Sequence, residues 1–134
     1  MKTPSRRKFI ASAAGLAAVT TLSPATAMVA EEKVIAHQVY FWLKNPASSE
    51  DRAQLIRGLK TLQKIESVRK LLIGVVAATD KRPVVDDSWG VSALTLFSDI
   101  AGEAAYQVHP IHLAFVKDYS HLWSKVVVYD SSEV

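Results

Sequence analysis

The chain has 134 residues, a formal net charge of +3, 49% apolar and 22% charged side chains, and no cysteine. Those figures describe one globular domain. They exclude a disulfide framework, a thiolate metal site and a cysteine nucleophile. Uninterrupted apolar runs never reach the roughly 18 residues of an ordinary spanning helix.

Residues 1–27 read as a twin-arginine signal peptide. Lys2, Arg6, Arg7 and Lys8 make a basic start, and a mild apolar stretch rich in Ala, Thr and Ser follows. Ala25, Thr26 and Ala27 form a small-x-small cleavage site. The adjacent arginines with Phe9 two residues on match the pathway that carries folded proteins. The expected location is periplasmic, or otherwise exported by that route. No stable membrane association is expected once the signal is cleaved, and an uncleaved anchor is the alternative. Residues 28–134 then form the mature domain, with twelve basic and thirteen acidic side chains and a net charge of −1. A near-neutral domain without a basic run is a poor phosphate binder, so no nucleic-acid partner is expected.

Residues 33–44 alternate. Ile35, His37, Val39, Phe41 and Leu43 fall on one face, with Val34, Ala36, Gln38, Tyr40 and Trp42 on the other, the pattern of a strand covered on both sides. Asn45 and Pro46 end it. Ser48 caps a helix over about 50–64, with Leu55, Ile56, Leu59, Leu62 and Ile65 at helical spacing. Gly58 within it costs about 1 kcal/mol relative to Ala. Residues 68–77 form a second strand in which Gly74 marks a bulge or a close backbone approach. Residues 79–88 are a polar loop, and 89–97 a third strand. Asp99 caps a helix over 100–108, Pro110 interrupts it, and a further helical piece runs over 111–121. Residues 123–129 are the last strand.

The order β-α-β-β-α-β is the α+β, ferredoxin-like arrangement of four antiparallel strands with helices on one face. The opposite face keeps Tyr40, Trp42 and other apolar groups, so a second copy is expected to cover it, giving a homodimer. No P-loop, dinucleotide-binding glycine pattern or nucleophile elbow is present.

The segment His37-Gln38-Val39-Tyr40-Phe41-Trp42-Leu43-Lys44 resembles the first strand of the stress-responsive dimeric α/β-barrel family. The run Ala105-Tyr106 through His109-Pro110, His112, Phe115 and Val116 resembles its most distinctive motif, in the second helix. Gly74 and Val128-Tyr129-Asp130 fit its second and closing strands. The resemblance spans about residues 33–131 and implies ferredoxin-like subunits pairing into a dimeric α/β barrel. A plant member of the family performs a cofactor-independent aldol cyclisation, using a first-strand His and the second His of the motif. By motif position these are His37 and His112, and a pocket tyrosine corresponds to Tyr106. Ser131 stands where the family often has an aromatic residue.

Taken together, His37, His112 and Tyr106 are the expected catalytic residues, and Val39, Phe41, His109 and Phe115 the expected substrate contacts. Two neutral imidazoles in an apolar cavity can pass a proton to or from a small hydrophobic carbonyl or phenolic molecule, as cyclase, lyase or isomerase chemistry requires. The i, i+3 spacing of His109 and His112 offers a metal two ligands but no defined third, so neither metal nor cofactor is expected. Rival readings are a non-catalytic stress-response or structural dimer, and a cofactor-free monooxygenase.

Overall fold

The computed structural model describes residues 33–134. The signal-peptide reading of residues 1–27 lies outside the described residues. Four strands, β1 (Ile35–Leu43), β2 (Lys70–Gly74), β3 (Val91–Phe97) and β4 (Trp123–Ser132), form one antiparallel sheet in the order β2-β3-β1-β4. Three helices, α1 (Ser49–Thr61), α2 (Ile100–Val108) and α3 (Pro110–Tyr119), pack on one side. This is the expected ferredoxin-like α+β fold.

The alternation of β1 becomes burial directly. Ile35, His37, Val39, Phe41 and Leu43 are buried beneath the helices, and the residues between them are only half-buried. Leu55 and Leu59 of α1, Phe97 of β3, Tyr106 of α2 and Phe115 of α3 complete that core.

The helix ends follow the sequence signals. The Ser48 hydroxyl accepts from the Asp51 N–H at 3.1 Å, and the Asp99 carboxylate accepts from the Gly102 N–H at 2.7 Å. Helix α1 closes in a short 3-10 turn over Leu62–Lys64, inside the expected span. The Pro110 break divides the second helix into α2 and α3, with His109 extended between them.

Two strands differ from expectation. β2 stops at Gly74 rather than continuing to residue 77, because its only neighbour, β3, starts at Val91 and pairs Ser92 with Gly74. Val75 and Val76 therefore lose their ladder and stay exposed. No bulge occurs at Gly74. Its glycine answers to a close approach, since a Cβ there would sit 2.9 Å from the Ser92 hydroxyl. β4 runs to Ser132, beyond the expected residue 129, because β1 supplies partners as far as Ile35.

Gly58 has a packing reason. A Cβ at this position would lie 2.7–2.8 Å from the Tyr119 ring, which α3 lays against α1. The ring stacks in turn on Phe115, and Phe115 on Trp123, at 5.6 and 5.8 Å.

Among the described residues, the other side of the sheet carries no helix. Tyr40 meets Trp89 and Tyr129 edge-to-face across it, at 5.1 and 6.3 Å. Trp42 donates to the Ser88 hydroxyl at 3.0 Å, and Lys125 lies 4.5 Å over its ring. Among the described residues, no helix is long and apolar enough to cross a membrane.

Candidate functional site

A cavity of about 440 Å³ lies between the sheet and the helices, within the range of small-molecule pockets. Its apolar part is formed by Phe41, Leu59, Leu62, Phe115, Trp123 and Val126, and His37, Tyr106, Gln107, His112 and Asp130 supply polar groups. β4 is an edge strand that the helices do not roof. Val126 and Val128, on the helix-facing side of β4, consequently remain 43% and 44% exposed, and both line the cavity.

His37 is placed by strand register. It pairs with Thr95 on β3 and with Asp130 on β4, which puts all three side chains on the covered face. His37 Nδ1 lies 2.6 Å from Asp130 Oδ1, so the carboxylate holds the proton on Nδ1 and leaves Nε2 as the free ring nitrogen.

Tyr106 comes from α2, and its ring lies 5.7 Å from that of His37 and 4.5 Å from that of His112. Burial pushes its hydroxyl up to about 12, against the pull of a hydrogen bond with the Thr95 side chain. It is a neutral donor at any ordinary pH.

His112 sits in the first turn of α3. Its Nδ1 is 3.1 Å from the Gln107 carbonyl, which can only accept, so Nδ1 carries the proton and Nε2 keeps its lone pair. Burial holds this ring below the usual histidine range. The Gln107 carbonyl pulls the other way, and the nearby His37 pushes in the same direction as burial. Two imidazoles from distant parts of the chain thus stand against one tyrosine ring, each with Nδ1 committed and Nε2 free.

Val39, Phe41 and Phe115 line the cavity. His109 does not line it. Its Nδ1 accepts from the Ile111 N–H at 3.1 Å, and its Nε2 lies 3.1 Å from Glu66. Its two nitrogens serve the α2–α3 break and a surface ion pair, so the structure places His109 apart from the other expected substrate contacts.

Asp130 and Thr95 escaped the sequence reading as site residues. Each stands opposite His37 in the sheet, and only the pairing of β1 with β3 and β4 brings them there. The single usable signal was an acid within the apolar closing strand. The sheet also gathers a ligand set absent from any local motif: one atom each of His37, Glu103 and Asp130 lie within 4.8 Å of one another.

Among solved structures, a Dabb-family protein with a ferredoxin-like fold from Mesorhizobium loti is 25% identical, with a TM-score of 0.63 over 76% of this chain and 98% of its own. A hydroxynitrile lyase from Passiflora edulis is 21% identical, with a TM-score of 0.62 over 77% and 95%. A dimeric ferredoxin-like protein of unknown function from Thermobifida fusca is 17% identical, with a TM-score of 0.61 over 78% and 95%. No curated protein sequence matches the chain. Residues 35–133, nearly all of the described domain, match the model of the Dabb family, the stress responsive A/B barrel domain, and the chain belongs to that family.

Proposed function

We propose that the protein binds a small hydrophobic carbonyl or phenolic molecule in this cavity and performs cofactor-independent acid–base chemistry on it. The observation that carries the reading is the convergence of His37, Tyr106 and His112 on one mostly apolar cavity, with both ring tautomers set by partners. A hydroxynitrile lyase on the same fold supports small-molecule chemistry in such a space.

The roles follow from the hydrogen bonds. His112 Nε2 holds a lone pair on a ring kept neutral by burial, which suits a general base. It takes the proton from a carbon next to a carbonyl, and the electron pair of that C–H bond moves onto the carbonyl oxygen. The neutral Tyr106 hydroxyl hydrogen-bonds the developing oxyanion. The enolate carbon attacks a second carbonyl, His112 returns the proton it took to the oxygen formed there, and His37, its Nδ1–H held by Asp130, accepts a hydrogen bond from the substrate at Nε2. Asp130 is a positioning residue. The proton count closes, because the one His112 takes from carbon ends on the new hydroxyl and His112 is left as it began.

The test is turnover of an activated diketone or polyketide analogue. His37→Ala and His112→Ala are each expected to lower the rate by about a hundredfold or more. Asp130→Asn is expected to distort the pH profile more than the binding of substrate. If no substrate is turned over and both histidine variants bind ligand as the parent does, the protein is a non-catalytic stress-response dimer. Oxygen uptake with a quinol would instead mark a monooxygenase.

Dimeric ferredoxin-like neighbours and the uncovered aromatic sheet face support a homodimer built on that face. Export through the twin-arginine route completes the proposal. Replacing Arg6 and Arg7 together by Lys should strand the protein in the cytoplasm, and unchanged export would refute the route.

A further inference from the structure

The structure points to a second use of the His37–Asp130 pair. We propose that His37 Nδ1, an Asp130 oxygen and a Glu103 oxygen form a three-ligand site for a first-row divalent metal ion, with Zn2+ as its best probe.

The donor set has the chemistry of such a site. One imidazole and two carboxylates suit a borderline divalent ion and leave at least one coordination position open. The three ligand atoms lie within 4.8 Å of one another. An ion with bonds of about 2.0–2.1 Å holds its ligands roughly 3.4 Å apart. To reach that spacing the His37–Asp130 pair, now 2.6 Å apart, must open and Glu103, half-buried in the first turn of α2, must close on it. Its carboxylate is already oriented, because Glu103 Oε1 accepts from Gln107 Nε2 at 2.7 Å and leaves Oε2 free.

Space for further ligands is at hand. A second cavity of about 250 Å³ adjoins the cluster and is lined by Glu103, Asp130, Ser131 and Ser132. Asp130 lines both this cavity and the main one. An ion here would therefore sit in the wall between them.

Occupancy has a consequence for the main cavity. The proton now on His37 Nδ1 occupies the atom the metal would take. A neutral ring that binds metal through Nδ1 carries its proton on Nε2 instead. The free nitrogen of His37 changes from acceptor to donor without any net gain or loss of protons. The ion and the His37–Asp130 hydrogen bond are mutually exclusive states of the same two side chains.

The experiment is calorimetric titration of the folded protein with ZnCl2, alongside Glu103→Gln and the control His109→Gln. The expected result is one ion per protomer. Glu103→Gln should weaken it by at least about tenfold, more than the loss of an outer-shell partner commonly costs at the low end, while His109→Gln leaves it unchanged. Glu103→Gln keeps the Gln107-facing side chain nearly isosteric, and a thermal melt matching the parent shows that it folds. Absence of stoichiometric binding overturns the proposal. So does binding that survives Glu103→Gln, or binding lost in His109→Gln, which would put the ion on the Glu66–His109 surface pair.

Discussion

On the helix side of the sheet, Ile35, Val39, Phe41 and Leu43 of β1 are buried, and the one polar residue among them, His37, has a carboxylate on its Nδ1. On the bare side of the same strand, Tyr40 and Trp42 are only half-buried, and Leu72 and Tyr129 on neighbouring strands are 50% and 65% exposed. Both sides are rich in apolar and aromatic groups. The difference is the cover. Helices fill one side except beside the edge strand β4, where the cavity opens, and among the described residues the other side is left bare. The helix side holds a few polar groups with assigned partners, whereas the bare side offers area.

That contrast can be broken most sharply at Phe97, fully buried at the centre of the helix side. Phe97→Ala should cost about 3–5 kcal/mol of stability, read from urea denaturation, and a loss similar to that of an exposed residue would show the core to be misplaced. A smaller effect is expected at Gly58. Helix propensity alone predicts that Ala stabilises α1 there. The Tyr119 ring occupies the space a Cβ needs, so Gly58→Ala should instead destabilise by about 1–3 kcal/mol. A stabilised variant would mean that the ring moves aside freely.

The third prediction concerns pH. The His112 ring, held below its ordinary value mainly by burial, favours the neutral folded state. Above about pH 6.5 the ring is neutral in both folded and unfolded chains and the effect is absent. As pH falls below that, the unfolded chain takes up the proton first, and stability declines until the folded ring titrates. Stability curves at stepped pH should show this fall in the parent and a flatter line in His112→Gln. The smallest effect on the protomer belongs to the bare face. Leu72→Glu should leave protomer stability within about 0.5 kcal/mol while shifting the mass in sedimentation from dimer to monomer. A dimer that persists would place the partner elsewhere.

Legibility followed the range of the interactions. The caps at Ser48 and Asp99 and the break at Pro110 were readable because each depends on residues within one turn. His112 was readable as a cavity residue through the motif around Pro110, and the alternation of β1 put His37 on the correct face. The placement of His109 outside the cavity was not legible, because its Nδ1 is taken by the cap and its Nε2 by Glu66, which lies far off in the chain. Asp130 and Thr95 were invisible for the same reason of distance.

The sequence by itself determined the order of the elements, their buried faces and the presence of two histidines suited to proton transfer. These follow from period, caps and side-chain chemistry, all local properties. Only the tertiary structure decided which atoms of those histidines are free. Antiparallel register carried Asp130 to His37, and the turn at Pro110 carried the Gln107 carbonyl to His112. A hydrogen bond fixes a tautomer only through a partner within about 3 Å, and for His37 that partner is 93 residues away along the chain.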